Sequence, residues 1–205
     1  MRQLKSVWPL CVLSLLFVWA ISAGKSAAAE RQRIEDSLSA LGQERDRLLY
    51  ENVILSHDYT RLSAIVQYST DYRIDAGQAA MIYDIALAEG IDTDIAFRLV
   101  EVESAFNSRA VSRVGAIGYA QVMPSTAAEL MERRVPVDEL FDPELNLHLG
   151  FRYLKQLLTE YNGDLRLALL SYNRGPHRVS QLLAIGEDPE NGYAESICGS
   201  CGVSE

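Results

Sequence analysis

Glu103 stands where a carboxylate is least expected. Asp92 reads as the N-cap of a helix over Thr93 to Phe106, and at 100° per residue Val102, Ile95, Phe106, Leu99, Ala96 and Val100 fall on one continuous apolar arc. Glu103 falls inside that arc, between Leu99 and Ala96, whereas Glu101 and Arg98 share the opposite side, where a solvated ion pair is the ordinary outcome. A carboxylate facing a core holds its proton to higher pH, which suits a general acid. The competing reading is a structural Glu tied to an arginine or to backbone N–H groups. Other chemistries have less behind them. His57, His148 and His177 lie far apart with no HExxH spacing, so the sequence offers no ligand set for a catalytic metal and calls for no cofactor. Cys198-Gly199-Ser200-Cys201 is a lone CxxC near the end of the chain; outside the cytoplasm a small-loop disulfide is its expected state.

The elements that must position Glu103 are helical. From about Asp71 onward, short helical blocks alternate with turn residues, and no alternating run is long enough to argue for a sheet. Ala76 to Glu89 ends at Gly90, and Pro124 opens a helix running to Arg134. Phe141-Asp142-Pro143 introduces Glu144 to Tyr161. Gly163-Asp164 caps a helix to about Tyr172, and Gly175-Pro176 breaks it before a last pair of short helices.

Upstream the pattern differs. Arg2 and Lys5 precede an apolar run from Val7 to Ile21 and the small-residue string Ser22 to Ala29, the form of a secretory signal cleaved after Ala29. The run from Val7 to Ala23 also meets the lower length limit of an uncleaved membrane anchor. Either reading puts the rest of the chain outside the cytoplasm. From Glu30 to Gln67, Ile34, Leu41, Leu48, Leu55 and Leu62 recur every seventh residue, with Leu38, Arg45, Asn52, Tyr59 and Val66 on the companion seam. A parallel homodimeric coiled coil and a single amphipathic helix lying on the following domain both remain open. In either form the segment would act as a stalk roughly 50 Å long.

Across its 205 residues the chain carries 19 basic against 28 acidic side chains, a net charge of −9. That balance argues against nucleic acid as a partner. An anionic polymer of another kind would have to be held by a specific groove rather than by a general positive field.

Downstream of Glu103 the motifs accumulate. Glu103-Ser104 is followed by Gly118-Tyr119-Ala120-Gln121, by Met123-Pro124-Ser125-Thr126-Ala127, by Asn146 to Leu154, and by Ser171-Tyr172-Asn173-Arg174-Gly175-Pro176. This ordered set resembles the catalytic region of the soluble lytic transglycosylases of peptidoglycan, related to goose-type lysozymes, over about Asp71 to Ile197. The resemblance implies an all-α, lysozyme-like catalytic domain. It makes Glu103 the single catalytic acid and base, with Ser104 supporting its helix end and Ser112 near the reacting sugar. Gln121 and Met123 would line the groove, Tyr172 would hydrogen-bond close to Glu103, and Asn173 would hold the local turn or a sugar substituent. Asn191-Gly192-Tyr193 resembles the family's closing aromatic segment, which gives Tyr193 a part in substrate binding. Two departures stand out: Tyr119-Ala120 replaces the usual Leu-Met, adding an aromatic surface to the groove wall, and Arg174 replaces the usual Ala, adding a positive charge.

The expected organisation is therefore a signal or anchor over 1–29, a helical stalk over 30–70, a catalytic domain over 71–197 and a CxxC tail over 198–205. The implied activity cleaves the bond between N-acetylmuramic acid and N-acetylglucosamine and leaves a 1,6-anhydromuramoyl end, at a periplasmic or envelope location. Hydrolysis on the same fold, and a non-catalytic envelope scaffold working through the coiled coil, are the alternatives.

Overall fold

The computed structural model of the protein describes residues 8–199 and 201; the expected basic n-region at Arg2 and Lys5 and the tail after Cys201 lie outside them. Among the described residues there are eight α-helices and one 3-10 helix: α1 Trp8–Tyr72, α2 Ala76–Glu89, α3 Thr93–Ser104, α4 Pro124–Leu130, the 3-10 helix Val137–Phe141, α5 Pro143–Glu160, α6 Leu165–Arg174, α7 Pro176–Ala184 and α8 Tyr193–Cys198. The chain divides into two compact units, Met1–Arg61 and Leu62–Glu205.

The described residues of the first unit are helix alone. After Pro9 no proline occurs until Pro124, so nothing removes a backbone donor from α1. Gly24 and Gly42 sit inside it with open space around them. Part of α1 is long and apolar enough to cross a membrane, with its side chains exposed. Ile34, Leu41, Leu48 and Leu55 of the heptad row are exposed in the single chain.

In the second unit, polar caps set the helix starts where the sequence places them. Asp75 accepts hydrogen bonds from the N–H groups of Gly77 and Gln78, Asp92 from Ile95, Asp142 from Leu145 and Asp164 from Leu167. Helix ends differ more. α3 stops at Ser104 rather than Phe106 because Ala105 and Phe106 both take positive φ, at 50° and 60°. α4 stops at Leu130, short of Arg134, and α6 runs on to Arg174. The segment between α3 and α4 carries two isolated antiparallel bridges, Val111 to Ile117 and Ile117 to Val122, too short for the alternation test to find.

α5 is the central helix, packed against α2, α4, α6 and the 3-10 helix; α3 packs on α2 and α8, and α6 on α7 and α8. Phe97, Leu99, Phe151, Leu154, Leu169 and Ile197 are fully buried among them. The last turns of α1 join this core. Ile65 is buried, Tyr68 stacks on Phe97 with ring centroids 3.9 Å apart, and Tyr72 meets Phe106 at 5.2 Å. The Tyr68 hydroxyl donates to Asp94 at 2.6 Å. Burial first, and the Asp94 carboxylate second, push that phenol up to about 12.

Candidate active site

The side of α3 turned toward α2 and α8 buries Ala96, Phe97, Leu99 and Val100. The arc is rotated from the expected one: Val102 is 41% exposed, and Phe97 joins the buried face. Glu103 still falls inside it, half-buried in the last turn. Burial pushes its carboxyl above the usual carboxylate range, and the Tyr193 hydroxyl, which donates to Oε1, works in the opposite direction by stabilising the anion. No arginine or lysine shares the carboxylate among its hydrogen bonds and ion pairs within the described residues. Arg98 reaches from α3 to α8, donating to the Ile197 carbonyl at 3.3 Å.

Tyr172 approaches from α6. Its hydroxyl donates to the Ala120 carbonyl at 2.7 Å, close to the Glu103 carboxylate. Burial first, then the nearby Glu103 charge, raises this phenol well above its ordinary range; Tyr193 is raised by the same causes in the same order. Both tyrosines therefore remain hydrogen-bond donors at any physiological pH.

Two glycines make the approach of the 118–121 loop to α5 and α6 tight. A Cβ on Gly150 would lie 2.3 Å from the Ala120 Cβ and 3.0 Å from the Tyr172 hydroxyl. One on Gly118 would lie 2.4 Å from Asn146 Nδ2, at a φ of 78° that already favours glycine. Asn146, 1% exposed, fastens this loop: Nδ2 donates to the carbonyls of Ile117 (2.8 Å) and Leu140 (3.0 Å), and Oδ1 accepts from the Ala120 N–H at 2.8 Å. Gln121, at a φ of 46°, turns its side chain back to donate to Gly118 at 3.0 Å and Ala110 at 3.3 Å.

The expected site residues separate into two sets. Gln121, Met123, Tyr172 and Asn173 line one groove of about 220 Å³, together with Thr126 and Tyr153. Tyr193 is joined to Glu103, which Tyr172 also flanks. Asn173 Oδ1 accepts from Asn191 Nδ2 at 2.9 Å, so Asn173 is tied to the loop before α8. The two serines serve local structure. Ser104 donates back to the Val100 carbonyl at 3.0 Å, and Ser112 accepts the Ala116 N–H at 2.9 Å within its turn. Tyr119 is not a groove wall: it is 8% exposed, and its hydroxyl accepts from Gln78, which also donates to the Phe106 carbonyl at 3.0 Å. Arg174 does line the groove.

Sequence reasoning missed Asn146, Tyr153 and the loop clamp before α8. Asn146 was open to the test that found Glu103, since it shares the core-facing side of α5 with Leu149, Gly150 and Leu154. The clamp carried no such signal. Arg166 donates to Asp188 at 2.6 Å and Glu190 at 3.0 Å; Glu190 accepts the N–H groups of Asn191 and Gly192, and Asn191 Oδ1 accepts that of Tyr193. These bonds deliver Tyr193 to Glu103 from residues whose pairing is long-range. The disulfide joins Cys198 to Cys201.

The fold is all-α and lysozyme-like, with Glu103 half-buried between Tyr193 and Tyr172. A family description of the transglycosylase SLT domain matches residues 80–192, and the chain belongs to that family. It is 32% identical over 114 residues to the soluble lytic murein transglycosylase of Salmonella typhimurium, covering 52% of this chain and 18% of that one. It is 35% identical over 112 residues to the membrane-bound lytic murein transglycosylase C of Haemophilus ducreyi, covering 48% and 30%. Among solved structures, an inactive glutamate-to-glutamine mutant of the lytic transglycosylase Slt of Pseudomonas aeruginosa superposes with a TM-score of 0.50 at 31% identity, over 58% of this chain and 22% of that one. The chain thus spans about a fifth of the length of the first of these relatives.

Proposed function

We propose that this protein is a peptidoglycan lytic transglycosylase in which Glu103 serves as both acid and base. The observation that carries the reading is the state of Glu103: desolvated at the end of α3, raised above the carboxylate range, and hydrogen-bonded by a neutral phenol rather than neutralised by a cation. In that state it donates its proton to the oxygen joining C1 of N-acetylmuramic acid to O4 of N-acetylglucosamine, and the C1–O4 bond breaks. The carbonyl oxygen of the substrate's own N-acetyl group bonds to C1 in the interval. The C6 hydroxyl oxygen then bonds to C1, displacing that carbonyl, and its proton passes to the Glu103 carboxylate. Water is not consumed, and the enzyme returns to its starting protonation state. Tyr193 supports the anionic interval by donating to Oε1, and an oriented intramolecular nucleophile removes about 7 to 11 kcal/mol of barrier in favourable cases.

The membrane-bound relative, the apolar part of α1 and the paired cysteines support a location in the cell envelope, held by α1 or released after Ala29. The exposed row Ile34, Leu41, Leu48 and Leu55 supports pairing of α1 with a second copy.

Digestion of purified peptidoglycan by the full chain, with sugar ends read by mass spectrometry, tests the chemistry. Anhydromuramoyl ends that vanish in Glu103→Gln support the proposal. Reducing ends would replace it with hydrolysis, and absence of cleavage by the folded protein would favour a scaffold.

A further inference from the structure

Arg174 is the ionised side chain among the residues lining the groove, in a protein whose net charge is −9. It stands two residues after Tyr172, at the end of α6, where Gly175 turns the chain into α7 with a φ of 83°. One guanidinium nitrogen, Nη1, donates to the Pro189 carbonyl at 2.7 Å. That bond holds the side chain in place without discharging it, because a carbonyl is neutral. Two carboxylates of the neighbouring loop are committed elsewhere: Asp188 and Glu190 both pair with Arg166. Arg174 has no ion pair of its own among the described residues. An arginine fork anchored at one nitrogen presents its remaining N–H donors in a plane that matches a carboxylate.

We infer that Arg174 is a specificity residue that binds a carboxylate of the glycan substrate, so that the groove prefers carboxylate-bearing saccharides to neutral ones. The inference rests on the glycan-cleaving reading above and adds a ligand chemistry to its groove. The sequence already excludes a general positive field, so an anionic glycan needs such a point contact. Two sources could supply the carboxylate, the lactyl group of a stem-free muramic acid or the peptide stem attached there in intact strands. The groove chemistry is the same for both.

The test is equilibrium binding of three glycan fragments to the full chain and to Arg174→Gln and Arg174→Lys. The first fragment carries peptide stems, the second a free lactyl carboxylate, and the third the lactyl group converted to its neutral amide. The wild type is expected to bind the carboxylated forms about 10- to 100-fold more tightly than the amide, the range for a hydrogen bond to a charged group. Arg174→Gln should bring that ratio to about one, and Arg174→Lys should restore part of it. Preference for the free lactyl fragment over its amide assigns the lactyl source; preference for the stem-bearing fragment alone assigns the stem. Using the ratio between fragments removes any loss from loosening the Pro189 contact, which would weaken all three alike. A wild type that does not discriminate, or an Arg174→Gln chain that still does, overturns the inference. Turnover measured in parallel keeps the two readings apart: discrimination in binding without cleavage would remove the proposed activity and leave the Arg174 contact standing.

Discussion

Two glutamates close neighbouring helices in the second unit and end in opposite electrostatic states. Glu89 is the last residue of α2, and Glu103 lies one residue before the end of α3. Burial alone would raise both. At Glu89 it is overcome: Arg152 Nη2 donates at 2.8 Å, His148 Nδ1 lies 2.7 Å away, and the carboxyl is held below the usual range. At Glu103 the hydrogen-bond partner among the described residues is the Tyr193 phenol, and burial prevails. The comparison shows that a half-buried acid becomes a structural ion-pair anchor or a candidate proton donor according to whether its neighbour is a cation or a neutral hydroxyl.

The sharpest break of this contrast is Glu103→Gln. Loss of the acid should lower peptidoglycan cleavage by about 10²- to 10⁴-fold, the usual range for general acid–base catalysis. Glu89→Gln should leave turnover within a few-fold, and the reverse ranking in a rate assay would remove Glu103 from its proposed role. Tyr193→Phe comes next. It deletes the donor that favours the anion, so the limb of the pH–rate profile that reports Glu103 should move to higher pH, and cleavage should fall by about 10- to 100-fold. An unmoved limb would show that the phenol does not tune the acid.

Gly150→Ala probes how the second tyrosine is held. Its Cβ would meet Ala120 and the Tyr172 hydroxyl, so overpacking should lower stability by about 1 to 3 kcal/mol in denaturant melts. Wild-type stability would mean that the 118–121 loop yields without cost. Glu89→Gln should cost about 1 to 3 kcal/mol at neutral pH by stranding Arg152 and His148. Because Glu89 is depressed in the folded state, its contribution is full above the ordinary carboxylate range and is lost as pH falls through the folded value. The cost of Glu89→Gln should therefore vanish in acid.

Glu103→Gln should carry the opposite and smallest sign. A carboxyl raised on folding stabilises fully only below its unfolded value, and that contribution is lost as pH rises through the folded one. The variant should thus melt slightly above wild type at neutral pH and match it in acid. A variant that melts lower at neutral pH would indicate that the Tyr193 bond, rather than desolvation, governs the site.

Local signals were legible before any fold was in view. Asp92, Asp142 and Asp164 announced helix starts because a cap is a contact between residues two or three apart, and Glu103 announced itself because a helix places its own neighbours. The same logic explains the errors at helix ends. Ala105 and Phe106 leave the helix through left-handed backbone that neither residue type favours, so the tertiary packing of Phe106 on Tyr72 must supply the reason.

The sequence by itself therefore determined the helical class, the family motifs and the misplaced carboxylate, since each depends on residue type and short-range periodicity. Only the tertiary structure decided which phenol meets Glu103, that Tyr119 is turned inward to Gln78, and that Arg166 holds the loop ahead of Tyr193. Those contacts join residues 22 to 90 positions apart, and no local rule specifies them. They are set by which faces of α2, α3, α5, α6 and α8 can be buried together at once.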